Sequence, residues 1–455
     1  MGEREFDVVV IGAGPPGEVC AGRIAEGGLE VAIVEDHLVG GECSYYACMP
    51  SKALLRPAEV LAEVRRVPGA AEAVTGELDP KAALARRDEV IHDLDDSVQL
   101  PWLEERGIEL YRGSGALDGE RRVKVGDDTF VARRAIVIAT GTSAAIPPIE
   151  GLAEAKPWDN REATTSKRVP KSLAVLGGGP VGVELAQAWR SLGSEVSLVE
   201  AMDRVLPNEE PFASEQVTDA LREAGVDVHT GAEATAVRGG DGEVTVELEG
   251  GASVAGEELL VAIGRRGRTE GIGLETVGIA AQRWLEVDDQ LRVDGSDWLY
   301  AIGDVNGRAL LTHMGKYQAR IAGDHVLGKD VAATADKHGS PRVTFTDPQV
   351  AAVGYTLATA EQAGIEARAV DAPTSGTAGA SFHGRNMPGT TRIVVDEERR
   401  VLVGATFVGP ETADFLHAAT IAVVGQVPLE RLWHAVPSFP TRSEIWLKLM
   451  ESYGL

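Results

Sequence analysis

The stretch GGECSYYACMPSK, residues 40–52, holds two of the only three cysteines in a chain of 455 residues. Cys43 and Cys48 have four residues between them, and Lys52 follows Cys48 by one helical turn. Such a pair can exchange electrons, ligate a metal or be neighbours without chemistry. A structural zinc needs four ligands, and no further cysteine or histidine cluster lies nearby, so no metal site is expected. Redox use of the pair requires a thiolate, and a positive, helix-N-terminal setting favours one. Cys20 reads as a small buried hydrophobe. Tyr45 and Tyr46, inside the loop, shape a pocket, stack on a ring, or simply pack.

Two elements could position a redox group. FDVVVIGAGPPGEVCAGRIAEGGLEVAIVED reads as strand, Gly-rich turn, helix and strand, and SLAVLGGGPVGVELAQAWRSLGSEVSLVEA repeats it. The first copy carries Gly12, Gly14 and Gly17, the second Gly177, Gly179 and Gly182. The acids Glu35 and Glu200 each fall 18 residues after the last motif glycine. In such a unit the first glycine makes the turn, the second admits a pyrophosphate and the third lets helix pack on strand. The helix N-terminus faces the phosphates, and the acid accepts the ribose hydroxyls. Two copies in context predict two dinucleotide sites. AIVIATGTSAAIPPIEG adds Thr140 and Gly141 after a strand. LLVAIGRRGRT repeats that ending, and LYAIGDVNG stops at Asp304, a candidate for a flavin chain or a plain turn cap. From about Arg342 the pattern becomes that of an antiparallel sheet with helices, a separate α+β domain.

The bulk numbers agree with a folded protein of about three domains. Apolar residues make up 44%, enough for sizeable cores, and the formal charge of −26 argues against a nucleic-acid or anionic-membrane partner. No apolar run approaches the ~20 residues that span a bilayer. Sparse cysteine and a first strand starting almost at once lead to the expectation of a soluble cytoplasmic protein.

With these motifs the chain resembles the flavoprotein disulfide reductases, nearest to the dihydrolipoyl dehydrogenase and mercuric reductase-like branch. The resemblance implies an α/β fold of glutathione reductase type, with two Rossmann-like domains and a C-terminal α+β dimerisation domain. The expected boundaries are 1–152 and 276–335 for FAD binding, 153–275 for the nicotinamide nucleotide and 336–455 for dimerisation. It implies FAD on the first fold, a nicotinamide cofactor on the second, and a homodimer whose C-terminal domains complete each other's sites. By resemblance Cys43 and Cys48 form a redox disulfide, with Cys48 nearer the flavin and Cys43 meeting the substrate. Lys52 matches a lysine near the flavin and Glu184 its ion-pair partner; the plain alternative is a lysine on a solvated face. Gly41, Ala116, Gly264 and His313 join the cofactor-binding set. Glu200 suits the free 2′-hydroxyl of NAD(H) over the 2′-phosphate of NADP(H), although Arg204 follows closely.

One departure stands out. The family usually carries a His-Pro-Thr segment near its C-terminus, with a Glu five residues after the His. Here Pro440, Thr441 and Glu444 fit, but the His position is Phe439, and a phenyl ring takes no proton. His434, read as lying on a helix, is the first substitute to consider. Mercuric reductase does without the His but relies on a C-terminal cysteine pair, absent here. The 2-ketopropyl-coenzyme M reductase also has Phe, yet not the Glu. The expected activity is therefore NAD(P)H oxidation through FAD and Cys43–Cys48 to a small acceptor, such as a disulfide, a quinone or another electrophile. The alternatives are reductive thioether cleavage with carbanion protection, and a flavoprotein electron carrier with little turnover alone.

Overall fold

The computed structural model describes residues 2–240, 242–293, 296–384, 387 and 389–455. The chain gathers into two compact units, each made of three segments.

The first unit comprises residues 1–50, 87–145 and 265–337. Its seven-stranded sheet is built around Glu3–Ile11 and Asp128–Ile138, which run parallel. Val31–Glu35 and then Glu109–Arg112 continue the sheet on one side, also parallel. Leu299–Ala301 adds to Asp128–Ile138 in parallel, while Arg122–Val125 and Gly115–Leu117 pair antiparallel. The central strands are continuous apolar runs, and Val8, Val9, Val10, Ile33, Ile136 and Val137 are fully buried, as strands covered on both faces must be. The first strand starts earlier than its apolar pattern, because Glu3–Glu5 pair with Thr129–Val131 while staying exposed.

The second unit comprises residues 51–86, 146–264 and 338–455. Asp227–Thr230, Glu195–Glu200, Ser172–Leu176 and Glu258–Val261 form a parallel four-stranded sheet in that order. The helix Pro180–Ser191 and its fully buried Trp189 pack in the same core. A five-stranded antiparallel sheet has the order Pro341–Thr344, Gln349–Gly354, Val401–Gly409, Thr390–Asp396, Ala367–Pro373. Its middle strand Val401–Gly409 is buried throughout, and Leu416–Val424 and Ile445–Tyr453 supply helical cover. This is the α+β arrangement expected after Arg342. Among the described residues no helix is long and apolar enough to cross a membrane.

Candidate active site

The cysteine motif is folded by two left-handed glycines. Gly40 (φ +104) and Gly41 (φ +58) turn the chain into the short helix Gly41–Tyr45. A Cβ on Gly41 would lie 2.8 Å from the Gly14 Cα, so this helix is pressed against the first glycine-rich turn. Cys43 sits within the short helix, and Cys48 opens the 19-residue helix Cys48–Arg66. The two thiols share a hydrogen bond that, with burial and the charge of Cys48, holds the Cys43 thiol far above its usual range. Physically, one proton is retained between the pair, so the first thiolate forms at the expense of the second. Thr312 Oγ1 lies 3.4 Å from Cys48 Sγ. Thr312 and Lys316 both act against the upward shift of Cys43.

Lys52 lies one turn beyond Cys48 on the same helix, and its Nζ is 2.6 Å from Glu184 Oε2. Glu184 is buried on the second motif's helix, and its other oxygen accepts the Phe345 N–H at 2.8 Å. The Lys52 ammonium also stands 4.8 Å from the centre of the Phe345 ring. The pairing expected of Lys52 and Glu184 is thus present. A cleft of about 430 Å³ opens beside Lys52, walled by Phe345, Arg56, Glu59 and Gln349 among others.

The two glycine-rich turns match closely. Gly12 (φ +104) and Gly177 (φ +109) are left-handed, and a Cβ on either would overlap the carbonyl oxygen of Ala139 or Ala262. A Cβ on Gly17 or Gly182 would overlap the carbonyl of Gly12 or Gly177. Gly14 and Gly179 are the N-caps of Pro15–Glu26 and Pro180–Ser191, each with Pro in the first turn. Glu35 accepts the Ala13 N–H at 2.7 Å and the His37 N–H at 2.9 Å. Glu200 accepts the Gly178 N–H at 2.5 Å and the Met202 N–H at 2.8 Å. Each acid therefore ties the turn to the end of the second strand. Burial raises the Glu35 carboxyl, against the pull of those two amides. A pyrophosphate fits both turns: a Cβ on Gly179 would meet nothing within 4 Å, and one on Gly14 would only graze Gly41 and Pro16 at 4.0 Å.

Asp304 accepts the Thr142 hydroxyl at 3.0 Å, and burial raises its carboxyl while Arg265 opposes the rise. Arg265 Nε donates to Thr142 Oγ1 at 2.6 Å. Arg265 and Arg268 approach Glu42 at 3.8 and 3.3 Å. Thr140 Oγ1 donates to the Arg268 carbonyl at 2.8 Å. Gly141 (φ +69) and Gly264 (φ +138) face open space. Ala116 is half-buried in Gly115–Leu117, and His313 is exposed at the start of Thr312–Val326. Sequence reading missed Glu42, Thr142, Arg265, Arg268, Thr312 and Lys316. The run Arg265, Arg266, Arg268 after a strand was a visible signal of anion or carboxylate pairing.

Other expectations resolve into packing. Tyr45 and Tyr46 are buried with Ile91, and Tyr46 OH bonds His37 Nε2 at 2.8 Å with the rings stacked. Cys20 is fully buried, and its thiol is pushed up to about 12. Arg204 donates to its own loop at Pro207 O, 2.9 Å away. His434 is exposed, but in a turn after Leu429–Leu432 and not on a helix as expected. Past Leu432 the N–H groups of His434 and Ala435 bond three residues back, to the Arg431 and Leu432 carbonyls, and Pro437 then keeps Val436 from helical backbone. Phe439 is 77% exposed, as is Val436 at 84%. Glu444, in Arg442–Glu444, accepts the Gly379 N–H at 3.3 Å.

Comparison with known proteins fits this geometry. Residues 6–321 match the model of the pyridine nucleotide-disulphide oxidoreductases, and residues 340–450 match the dimerisation domain of the same group. The dihydrolipoyl dehydrogenase of Thermus scotoductus is 33% identical over 458 residues, covering 99% of this chain and 97% of that one. That of Chlamydia muridarum is 30% identical over 449 residues, covering 97% and 95%. Among solved structures, the HOCl-induced flavoprotein disulfide reductase RclA from Escherichia coli superposes with TM-score 0.86 at 26% identity, covering 98% of this chain and 99% of that one. LpdA from Mycobacterium tuberculosis gives 0.87 at 25% identity, covering 99% and 100%. The chain belongs to the pyridine nucleotide-disulphide oxidoreductase family. It is a flavoprotein enzyme that works with FAD and a pyridine nucleotide, and it has the glutathione reductase-type fold with a C-terminal dimerisation domain.

Proposed function

We propose that the chain is an NADH-linked reductase that delivers electrons through Cys43 and Cys48 to an acceptor needing no histidine base. The observation carrying this reading is the hydrogen-bonded thiol pair at the head of the helix that also bears Lys52, with Phe439 where a proton relay is usual. Gly12, Gly14, Gly17, Glu35, Gly41, Ala116, Thr140, Gly141, Asp304 and His313 would hold FAD. Gly177, Gly179, Gly182, Glu200 and Gly264 would hold the nicotinamide nucleotide. The working segments are 1–152, 153–275, 276–335 and 336–455, in a cytoplasmic homodimer joined through the last.

Held by those residues, FAD would supply a two-electron relay between the reduced nicotinamide and the cysteines. The chain's own residues do the rest. Lys52, fixed by Glu184, supplies a positive charge suited to an electron-rich ring. Cys43 as thiolate attacks a disulfide acceptor and expels one thiolate. Cys48 then attacks Cys43 Sγ, closes the Cys43–Cys48 disulfide and expels the second. Both leaving thiolates need protons, and Phe439 can give neither. A metal-ion acceptor avoids that demand: two Cu(II) ions take one electron each from the dithiol, which closes to the disulfide and releases its two protons to solvent. RclA has been solved as a Cu(II) complex, which favours this as a second reading.

Anaerobic reductive titration tests the cysteine pair. Wild type should take up two electron pairs per FAD and Cys48→Ser one; a single pair in wild type would overturn the assignment. For the acceptor, lipoamide reduction should be slow while NADH reduces the flavin quickly. Phe439→His should raise lipoamide reduction, by up to about a hundredfold, toward the lower end of what general-base help provides. Adding Glu444→Gln should lower it again. Lipoamide turnover unchanged by Phe439→His would show that another group moves the proton.

A further inference from the structure

We infer that Glu42 is a positioning residue for the resident cofactor: gripped by Arg265 and Arg268, its carboxylate latches the cysteine helix Gly41–Tyr45 over the first glycine-rich turn. The inference rests on the proposed reading that this turn holds FAD.

The helix Gly41–Tyr45 has five residues, too few to stay formed without tertiary ties. At its start the Gly40 N–H donates to the Ala13 carbonyl at 2.8 Å. At its end Tyr45 and Tyr46 are buried with Ile91. Between them stands Glu42, next to Cys43, with its carboxylate 3.3 Å from Arg268 and 3.8 Å from Arg265.

The two arginines stand on a fixed support. Arg265–Gly267 pairs antiparallel with Thr142–Ala144. The Arg268 N–H donates to the Gly141 carbonyl at 3.0 Å, and its carbonyl accepts the Thr140 hydroxyl at 2.8 Å. A Cβ on Gly267 would lie 3.2 Å from the Val305 carbonyl oxygen, so the strand is seated on the turn Gly303–Asn306. Arg265 donates to the Thr142 hydroxyl at 2.6 Å and the Thr142 carbonyl at 3.0 Å. The same hydroxyl donates on to Asp304 at 3.0 Å. The Arg265 fork is thus fixed before Glu42 meets it, and little side-chain freedom is lost in the pairing. The chain Glu42, Arg265, Thr142, Asp304 ties the cysteine helix to the acid expected at the flavin chain.

Glu42 and Arg265 are only partly exposed, so their attraction is screened less than that of an open surface pair. Arg266, between the two arginines in sequence, is exposed and pairs instead with Glu270. Charge balance points the same way. Glu42 follows Gly41, which touches Gly14, where an anionic pyrophosphate would sit. A lone carboxylate beside it would repel that anion, and the arginines remove the repulsion.

The test follows FAD release from the loaded, oxidised enzyme by the rise in flavin fluorescence on dilution. Glu42→Gln should release FAD roughly five- to tenfold faster than wild type, and Arg268→Gln roughly threefold faster. The double variant should be no faster than Glu42→Gln, because both changes cut one latch. Salt at about 1 M, which screens charges beyond about 3 Å, should speed release more in wild type than in Glu42→Gln. A helix that is merely destabilised would show no such difference. Arg266→Gln, on the same strand, should release FAD at the wild-type rate. Where Glu42→Gln does not fold, Arg268→Gln and its salt response decide the matter. Additive effects, equal salt responses, or an Arg266→Gln as fast as Arg268→Gln overturn the inference. Slower release in Glu42→Gln also overturns it and shows that the freed arginines hold the pyrophosphate. Gly41→Ala keeps the two readings apart. Normal FAD retention there refutes the placing of FAD on the first turn. FAD lost there, with release unmoved in Glu42→Gln, refutes the latch alone.

Discussion

The two glycine-rich units of this chain share a backbone and differ in what surrounds it. In both, a left-handed glycine, a glycine N-cap, a proline-led helix and a backbone-tied acid recur residue for residue. In the first, Gly41 closes over Gly14 and brings the cysteine helix with it. In the second, the space in front of Gly179 is open. A turn covered by its own chain suits a resident group, because release requires the cover to move. An open turn suits a nucleotide that comes and goes each cycle. On the proposed assignment of FAD to the first turn and the nicotinamide nucleotide to the second, one motif would serve two residence times, the difference lying in a neighbouring loop.

The shared part predicts the largest effect. Gly17→Ala and Gly182→Ala each drive a methyl into a backbone carbonyl that has nowhere to go. Each should cost about 3 kcal/mol or more and yield little folded protein. Thermal unfolding of both variants checks this, and a well-folded Gly17→Ala or Gly182→Ala would break the equivalence of the two turns.

The unshared part predicts a contrast. Gly41→Ala forces a non-glycine residue at φ +58 and a Cβ 2.8 Å from Gly14. Bound FAD per chain, read by absorbance after dialysis, should fall at least several-fold. Gly179→Ala has ordinary backbone (φ −73) and free space, so stability should stay within about 0.5 kcal/mol. There the methyl occupies pyrophosphate space, and the KM for NADH should rise roughly tenfold with FAD content unchanged. Equal behaviour of the two variants would remove the distinction between covered and open turns.

The comparison also shows what local pattern encodes. Both units were legible because the strand, turn, helix and acid are consecutive, and each residue type answers a local steric or hydrogen-bonding demand. The Lys52–Glu184 pair was legible only through resemblance, since its partners are 132 positions apart. Nothing in the spacing tells that Tyr46 would bond His37 or that Arg265 would meet Glu42. Those contacts depend on which loops tertiary packing brings together. His434 was misplaced onto a helix because its apolar neighbours imitate a helical period, and the proline at 437 outweighs that pattern.

The smallest effect should come from the second acid. Glu200 spends one lone pair of each oxygen on the Gly178 and Met202 amides, leaving others for the ribose hydroxyls. A 2′-phosphate in that place would face a carboxylate, whereas a free 2′-hydroxyl can donate to it. Arg204 is engaged with Pro207, so one of its nitrogens is already committed to its own loop. NADH should therefore be preferred over NADPH in wild type. Glu200→Gln keeps an acceptor for the Gly178 amide but removes the charge, so the preference should narrow several-fold, chiefly through a lower KM for NADPH. One of the two amide ties is lost, because the Gln NH2 would face the Met202 N–H, so thermal stability should fall by about 1–2 kcal/mol, less than in the glycine variants, while FAD content changes little. Glu35→Gln in the first unit should leave the NADH preference untouched. A wild type that favours NADPH, or a Glu35→Gln that alters coenzyme choice as much as Glu200→Gln, would show that the two acids do not serve different nucleotides.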